Sequence, residues 1–170
     1  MKNPNSRTKL GAILLPTAFA CAFASTTHAG EWSANASMTS NYIWRGLTQT
    51  ENEAAVQGGI DYASDSGFYI GTWASNVNYG PSDVYSYEHD VYAGFAFDTG
   101  AVSWDVGYLY YNYDKEANFD FGEVYVGAGI GGFSAKFNVL ANTEADEAEG
   151  QDFGFGEAYY LSLDYGFEIG

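Results

Sequence analysis

The side chains able to do chemistry in this chain are carboxylates, two bases set among them, and one histidine. Taken at every second residue through segments that alternate apolar and polar, Arg45, Asp61, Glu88, Asp90, Asp105, Glu123, Lys136 and Asp164 share one parity. Gln57, Thr72, Asn76 and Asn138 fall on it too. Six acids and two bases on one face have two uses. They line a water-filled path that favours cations, or they pair with one another and fill a closed interior. The composition is compatible with both.

Catalysis finds little support. Beyond residue 29 the only histidine is His89, and its neighbours Glu88 and Asp90 point to the opposite face of a strand, so neither can orient the ring. No metal-ligand spacing, phosphate loop or nucleophile motif occurs, and Gly127-Ala128-Gly129 has no helix after it. The expectation is therefore no enzyme, no cofactor and no metal. The acidic segment 143–152 lacks the acid-and-glycine spacing of a calcium loop and reads as a solvated outer loop.

The amino terminus describes export. Lys2, Arg7 and Lys9 precede an apolar run at 10–24, and Thr27-His28-Ala29 offers small residues for cleavage after Ala29. A lipoprotein signal ending at Cys21 is the weaker reading, because Ala18-Phe19-Ala20 lacks the usual leucine. The segment 30–170 then keeps three basic residues, Arg45, Lys115 and Lys136, against all 22 acidic ones, a formal charge of −19. Such a chain has no basic patch for nucleic acid. It also has no cysteine after Cys21, which excludes a disulfide framework.

What must position the charged parity is a set of strands. Period-2 alternation marks 32–45, 54–64, 68–78, 85–97, 102–112, 121–130, 133–142 and 153–167. Most reach the roughly 9–11 residues of a tilted membrane strand. Tight turns at 65–67, 98–100 and 131–132 alternate with longer polar connections at 46–53, 79–84, 114–120 and 143–152. On the apolar parity, aromatic residues gather towards the strand ends. Trp32, Tyr62, Tyr69, Phe95, Phe97, Trp104, Phe133, Tyr165 and Phe167 sit on the turn side, with Tyr42, Trp44, Tyr85, Tyr87, Tyr108 and Tyr110 near the loops. Between them lie small or aliphatic residues such as Ala34, Ile60, Val91 and Val126. The pattern predicts an all-β, antiparallel up-and-down transmembrane β-barrel with eight strands visible, its aromatic girdles flanking an apolar band. A soluble sandwich or ligand-carrying barrel is the competing architecture.

Particular blocks carry a family likeness. Ser-Asn-Tyr-Ile-Trp-Arg-Gly-Leu-Thr-Gln-Thr (40–50), Gln-Gly-Gly-Ile-Asp-Tyr (57–62) and Ser-Gly-Phe-Tyr-Ile-Gly-Thr-Trp-Ala-Ser-Asn-Val (66–77) follow in order. The chain resembles the TorF-family porins, a bacterial group of unknown function. The resemblance implies an outer-membrane barrel with a transport role and brings no substrate or site residues. Members of that group continue for several strands and finish on an aromatic residue, whereas this sequence stops at Gly170. The expectation is a larger barrel of about twelve strands, of which the final ones are missing. The implied partners are outer-membrane lipid and lipopolysaccharide, the barrel-insertion machinery, and small polar solutes diffusing through a porin-like channel. A non-conducting barrel serving adhesion or envelope structure is the alternative.

Overall fold

The computed structural model describes residues 30–148 and 150–167. The export signal expected at 1–29, Glu149 of the acidic segment and the last three residues lie outside the described residues. The strands in chain order are β1 (Glu31–Thr39), the short β2 (Ile43–Trp44) and β3 (Leu47–Thr48), then β4 (Ala55–Ala63), β5 (Phe68–Asn76) and β6 (Tyr87–Thr99). After them come β7 (Val102–Tyr113), β8 (Phe121–Ile130), β9 (Phe133–Thr143) and β10 (Tyr159–Tyr165). The eight long strands form one antiparallel sheet in the order β1-β4-β5-β6-β7-β8-β9-β10, each bonded to the next in the chain. A 3-10 turn at Lys115–Ala117 is the helical element among the described residues. No described helix is long and apolar enough to cross a membrane, which says nothing of strands.

Turn chemistry fixes the register. Thr99 pairs with Val102 and Ile130 with Phe133, so Gly100-Ala101 and Gly131-Gly132 form two-residue loops. Gly100 and Gly131 take φ of +64° and +60°, conformations open to glycine without a steric penalty. The alternation of β6 then separates two environments: Val91, Phe95 and Phe97 are exposed, while Glu88, Asp90 and Tyr92 are buried. The same division runs through β4, β7, β8 and β9, where Ile60, Val106, Val126 and Phe137 are exposed.

The buried parity is the inside of a bend. Tyr69 on β5 and Tyr125 on β8 hydrogen-bond through their hydroxyls across two intervening strands. The β2–β3 hairpin, which lies between β1 and β4 in the chain, reaches Glu123 on β8 and Tyr160 on β10. Neighbouring strands stand about 4.8 Å apart, so contacts of this reach require the sheet to curl around its charged face. Among the described residues no ladder joins β1 to β10, and the sheet has two unpaired edges. Inside the bend, glycines make room for tyrosine rings. A Cβ on Gly107 would meet the Tyr125 hydroxyl at 2.5 Å, and one on Gly71 would meet the Tyr92 ring at 2.6 Å.

Several sequence expectations are corrected. The first strand ends at Thr39, and residues beyond it leave the sheet as the hairpin, although alternation continues to Arg45. Tyr42 and Trp44 therefore pack against the inner face rather than the apolar outer one. The last strand begins at Tyr159, not at 153. On β5 the faces are the reverse of the expectation: Tyr69, Gly71, Trp73 and Ser75 turn inward with Phe68 and Ile70 exposed, so Thr72 and Asn76 look outward. The register with β6 sets Tyr69 opposite Gly94, where a ring can lie, and Ile70 opposite Ala93. Tyr85 falls in the connection before β6 and packs against the inner cluster.

Candidate functional site

The inner face and the hairpin laid across it form the candidate site. Trp44 pairs with Leu47, leaving Arg45-Gly46 as a two-residue loop with φ of +49° and +85°. Positive φ at both positions is the hairpin geometry that matches strand twist, and an arginine there carries a backbone cost. What offsets it is on the side chain. Arg45 donates two parallel hydrogen bonds to Glu123, at 2.7 and 2.5 Å, and its guanidinium lies 4.2 Å from the centre of the Trp44 ring and 4.4 Å from that of Tyr160. Bidentate, ring-flanked pairing of this type is among the stronger polar contacts a protein makes. A register shift between Gly122 and Glu123 sets Leu140 opposite Glu123 and Asn142 opposite Gly122, a bulge beside the residue that receives Arg45.

A second fastening lies deeper. Tyr42 of the hairpin donates to Glu88 at 2.8 Å, and Tyr113 donates to its other oxygen at 3.1 Å. The hairpin is thus held by β6 and β8 together. Its own loop is braced from within: Thr48 Oγ1 donates to Asn41, and Thr50 Oγ1 donates to the Glu53 carbonyl at 2.7 Å.

The structure brings most of the charged parity into contact with hydroxyls or bases. Asp61 accepts from Tyr92, and Asp105 accepts from Tyr69 and lies 3.8 Å from Lys136. Lys136 also sits 3.6 Å from the centre of the Tyr125 ring. Asp90 is buried, and its Oδ1 has no hydrogen-bond partner. Asp164 on β10, opposite Ser134 of β9, stays exposed. His89 points outward as expected and bonds Thr72 Oγ1 at 2.6 Å, so two polar groups on the apolar face satisfy each other. Among the described residues, no group of three or more His, Cys, Asp or Glu side chains comes together to hold a metal.

Sequence reasoning missed the tyrosines that serve these acids: Tyr42, Tyr69, Tyr92 and Tyr113. For Tyr92 the signal was available, because it shares the parity of Glu88 and Asp90 on one strand. For Tyr42 the available signal was Arg45-Gly46 between Trp44 and Leu47, a two-residue turn pattern inside an apparent strand.

Outside the strands, Asp114 ties the connection before β6 to the end of β7. Ser86 N and Oγ donate to it at 2.6 and 2.7 Å, and Tyr87 N at 3.1 Å. Burial alone would raise this carboxyl; the hydrogen bonds from Ser86 and Tyr87 outweigh it and hold it below the usual carboxylate range. A lowered folded value means that the contribution is present above the unfolded value, about 3.9, and is lost as pH falls through the folded one. Hydrogen exchange corrected for intrinsic rates will show protection of the Ser86 and Tyr87 amides at neutral pH, declining in that acid window. Asp114→Ala will lack it throughout, and pH-independent protection in the unaltered chain would contradict the assignment.

An antiparallel eight-stranded meander with almost no helix, exposed apolar side chains on one face and carboxylates on the other, defines an all-β protein of simple up-and-down order. Neither a curated protein nor a solved structure matches the chain. The chain belongs to Gcw_chp, a family of bacterial proteins of unknown function, whose model matches residues 23–170.

Proposed function

We propose that this protein is an outer-membrane β-barrel forming a porin-like channel for passive diffusion of small polar solutes, with a preference for cations. The observation that carries the reading is the separation of faces. Val91, Val106, Val126 and Leu161 are exposed on one side of the curled sheet, and Asp61, Glu88, Asp90, Asp105 and Glu123 occupy the other. Soluble monomers rarely leave so continuous an apolar surface in water, whereas lipid accepts it and leaves the charges for the interior. Lipid also demands that the edges of β1 and β10 be paired, directly or through further strands. The likeness of segments 40–50, 57–62 and 66–77 to TorF-family porins supports the same reading. Export to the outer membrane, contact with lipopolysaccharide and handling by the insertion machinery belong to it.

In this reading the hairpin narrows the path, and the acids of the inner face repel anions. Planar bilayers under a salt gradient test it. Refolded protein should give discrete conductance whose reversal potential has the sign of cation preference; an anionic sign would reject the selectivity. A second reading, a barrel that conducts nothing, is favoured by the contacts of Tyr69, Tyr92 and Tyr125, whose rings fill space between the acids. A folded but electrically silent protein would decide for it.

A further inference from the structure

Between the hairpin and the loop-side ends of β7, β8 and β9 lies a cavity of about 680 Å3, a size typical of small-molecule sites. Seven of the sixteen residues in its wall carry rings, among them Trp44, Tyr79, Tyr85, Tyr113, Phe119 and Phe121. They brace each other edge to face: Tyr85 meets Tyr79 at 5.0 Å between centres and Tyr113 at 5.5 Å. The two charged groups in the lining, Arg45 and Glu123, neutralise each other.

Behind that wall lie two buried acids. Tyr113 donates to Glu88, which is 1% exposed, and Asp90 on the same face of β6 is 2% exposed with Oδ1 unpartnered. Among the described residues neither acid forms a salt bridge, since Arg45 is engaged by Glu123 and Lys136 lies beside Asp105. The faces of aromatic rings are electron-rich and attract cations. The protein already displays what such a surface holds. The Arg45 guanidinium rests on two rings against a carboxylate, and the Lys136 ammonium rests on Tyr125 beside Asp105.

We propose that this cavity binds a hydrophobic organic cation, an ammonium bearing an aryl or alkyl group. The rings and Leu47 and Leu140 receive its apolar part, while the π-faces receive its charge. An anion would find no unpaired base in the lining, and would approach a chain whose residues 30–170 carry 22 acids and three bases. Binding here is independent of whether any solute crosses the membrane.

The test uses the refolded full-length chain, titrated with benzyltrimethylammonium, benzyl alcohol and benzylsulfonate, and followed by calorimetry and tryptophan emission, to which Trp44 contributes. The ammonium should saturate and bind about tenfold or more tightly than the alcohol, with no saturation by the sulfonate. Phe119→Ala removes a ring that is 44% exposed, and it should weaken the ammonium about three- to tenfold. Equal affinity for ammonium and alcohol overturns the cationic class. Failure of the ammonium to saturate, or undiminished affinity in Phe119→Ala, overturns the site itself.

Discussion

Arg45→Met is expected to lower stability by about 3 kcal/mol, because it strands Glu123 without a counter-charge in a place water barely reaches. The Glu123 side chain is 6% exposed and that of Arg45 19%, so the loss belongs at the lower end for a broken buried pair. Glu123→Leu should cost a similar amount by isolating the guanidinium. The double variant Arg45→Met with Glu123→Leu should return to within about 1 kcal/mol of the parent, since desolvation of both charges disappears together with their attraction. A glycine at 45 separates the backbone from the side chain. It relieves the φ of +49° while still losing the pair, so Arg45→Gly should be less damaging than Arg45→Met by about 1 kcal/mol. Urea unfolding of the refolded protein in detergent reads all four. Additive losses in the double variant would mean that the two side chains act independently, contrary to the bidentate geometry.

Val126→Arg will distinguish lipid from water on the outer face. Val126 is 40% exposed and sits mid-strand between Val106 and Phe137. Were that face wet, an arginine there would change stability by no more than about 0.5 kcal/mol, as surface substitutions do. Facing the middle of a bilayer, it should cost about 2–4 kcal/mol. The measurement is unfolding from lipid vesicles, with Phe133→Arg near the turn side as the companion, expected to lose about 1 kcal/mol or less because charge near the interface is cheaper. Equal, small effects at both positions would reject the membrane assignment and leave a curled sheet with an unexplained apolar surface.

Legibility in the sequence tracks how consistently one face is apolar. On β6, Val91, Phe95 and Phe97 alternate with Glu88, Asp90 and Tyr92, and period-2 reading assigns both faces. On β5 both parities carry large apolar groups, Phe68 and Ile70 against Tyr69 and Trp73, so alternation has nothing to choose between. There the decision rests on which glycine of the neighbouring strand accepts a ring, a long-range fact. The hairpin escapes for the opposite reason. Residues 40–45 continue the rhythm of β1 without a break, yet Arg45 and Tyr42 find partners on β8 and β6 that local pattern cannot foresee. The charged residues were readable as a group by parity, while the tyrosine donors that satisfy them were not, because a tyrosine fits either face.

The hairpin is moored at both ends, to β1 at Thr39 and to β4 at Ala55. Swinging it away from Glu88 and Glu123 is therefore a unimolecular event, and its return is governed by tether length rather than by how much protein is in solution. Short flexible tethers correspond to local concentrations on the order of millimolar. A separate peptide of the same sequence would have to be supplied near that level to take its berth, and dilution should leave the hairpin docked.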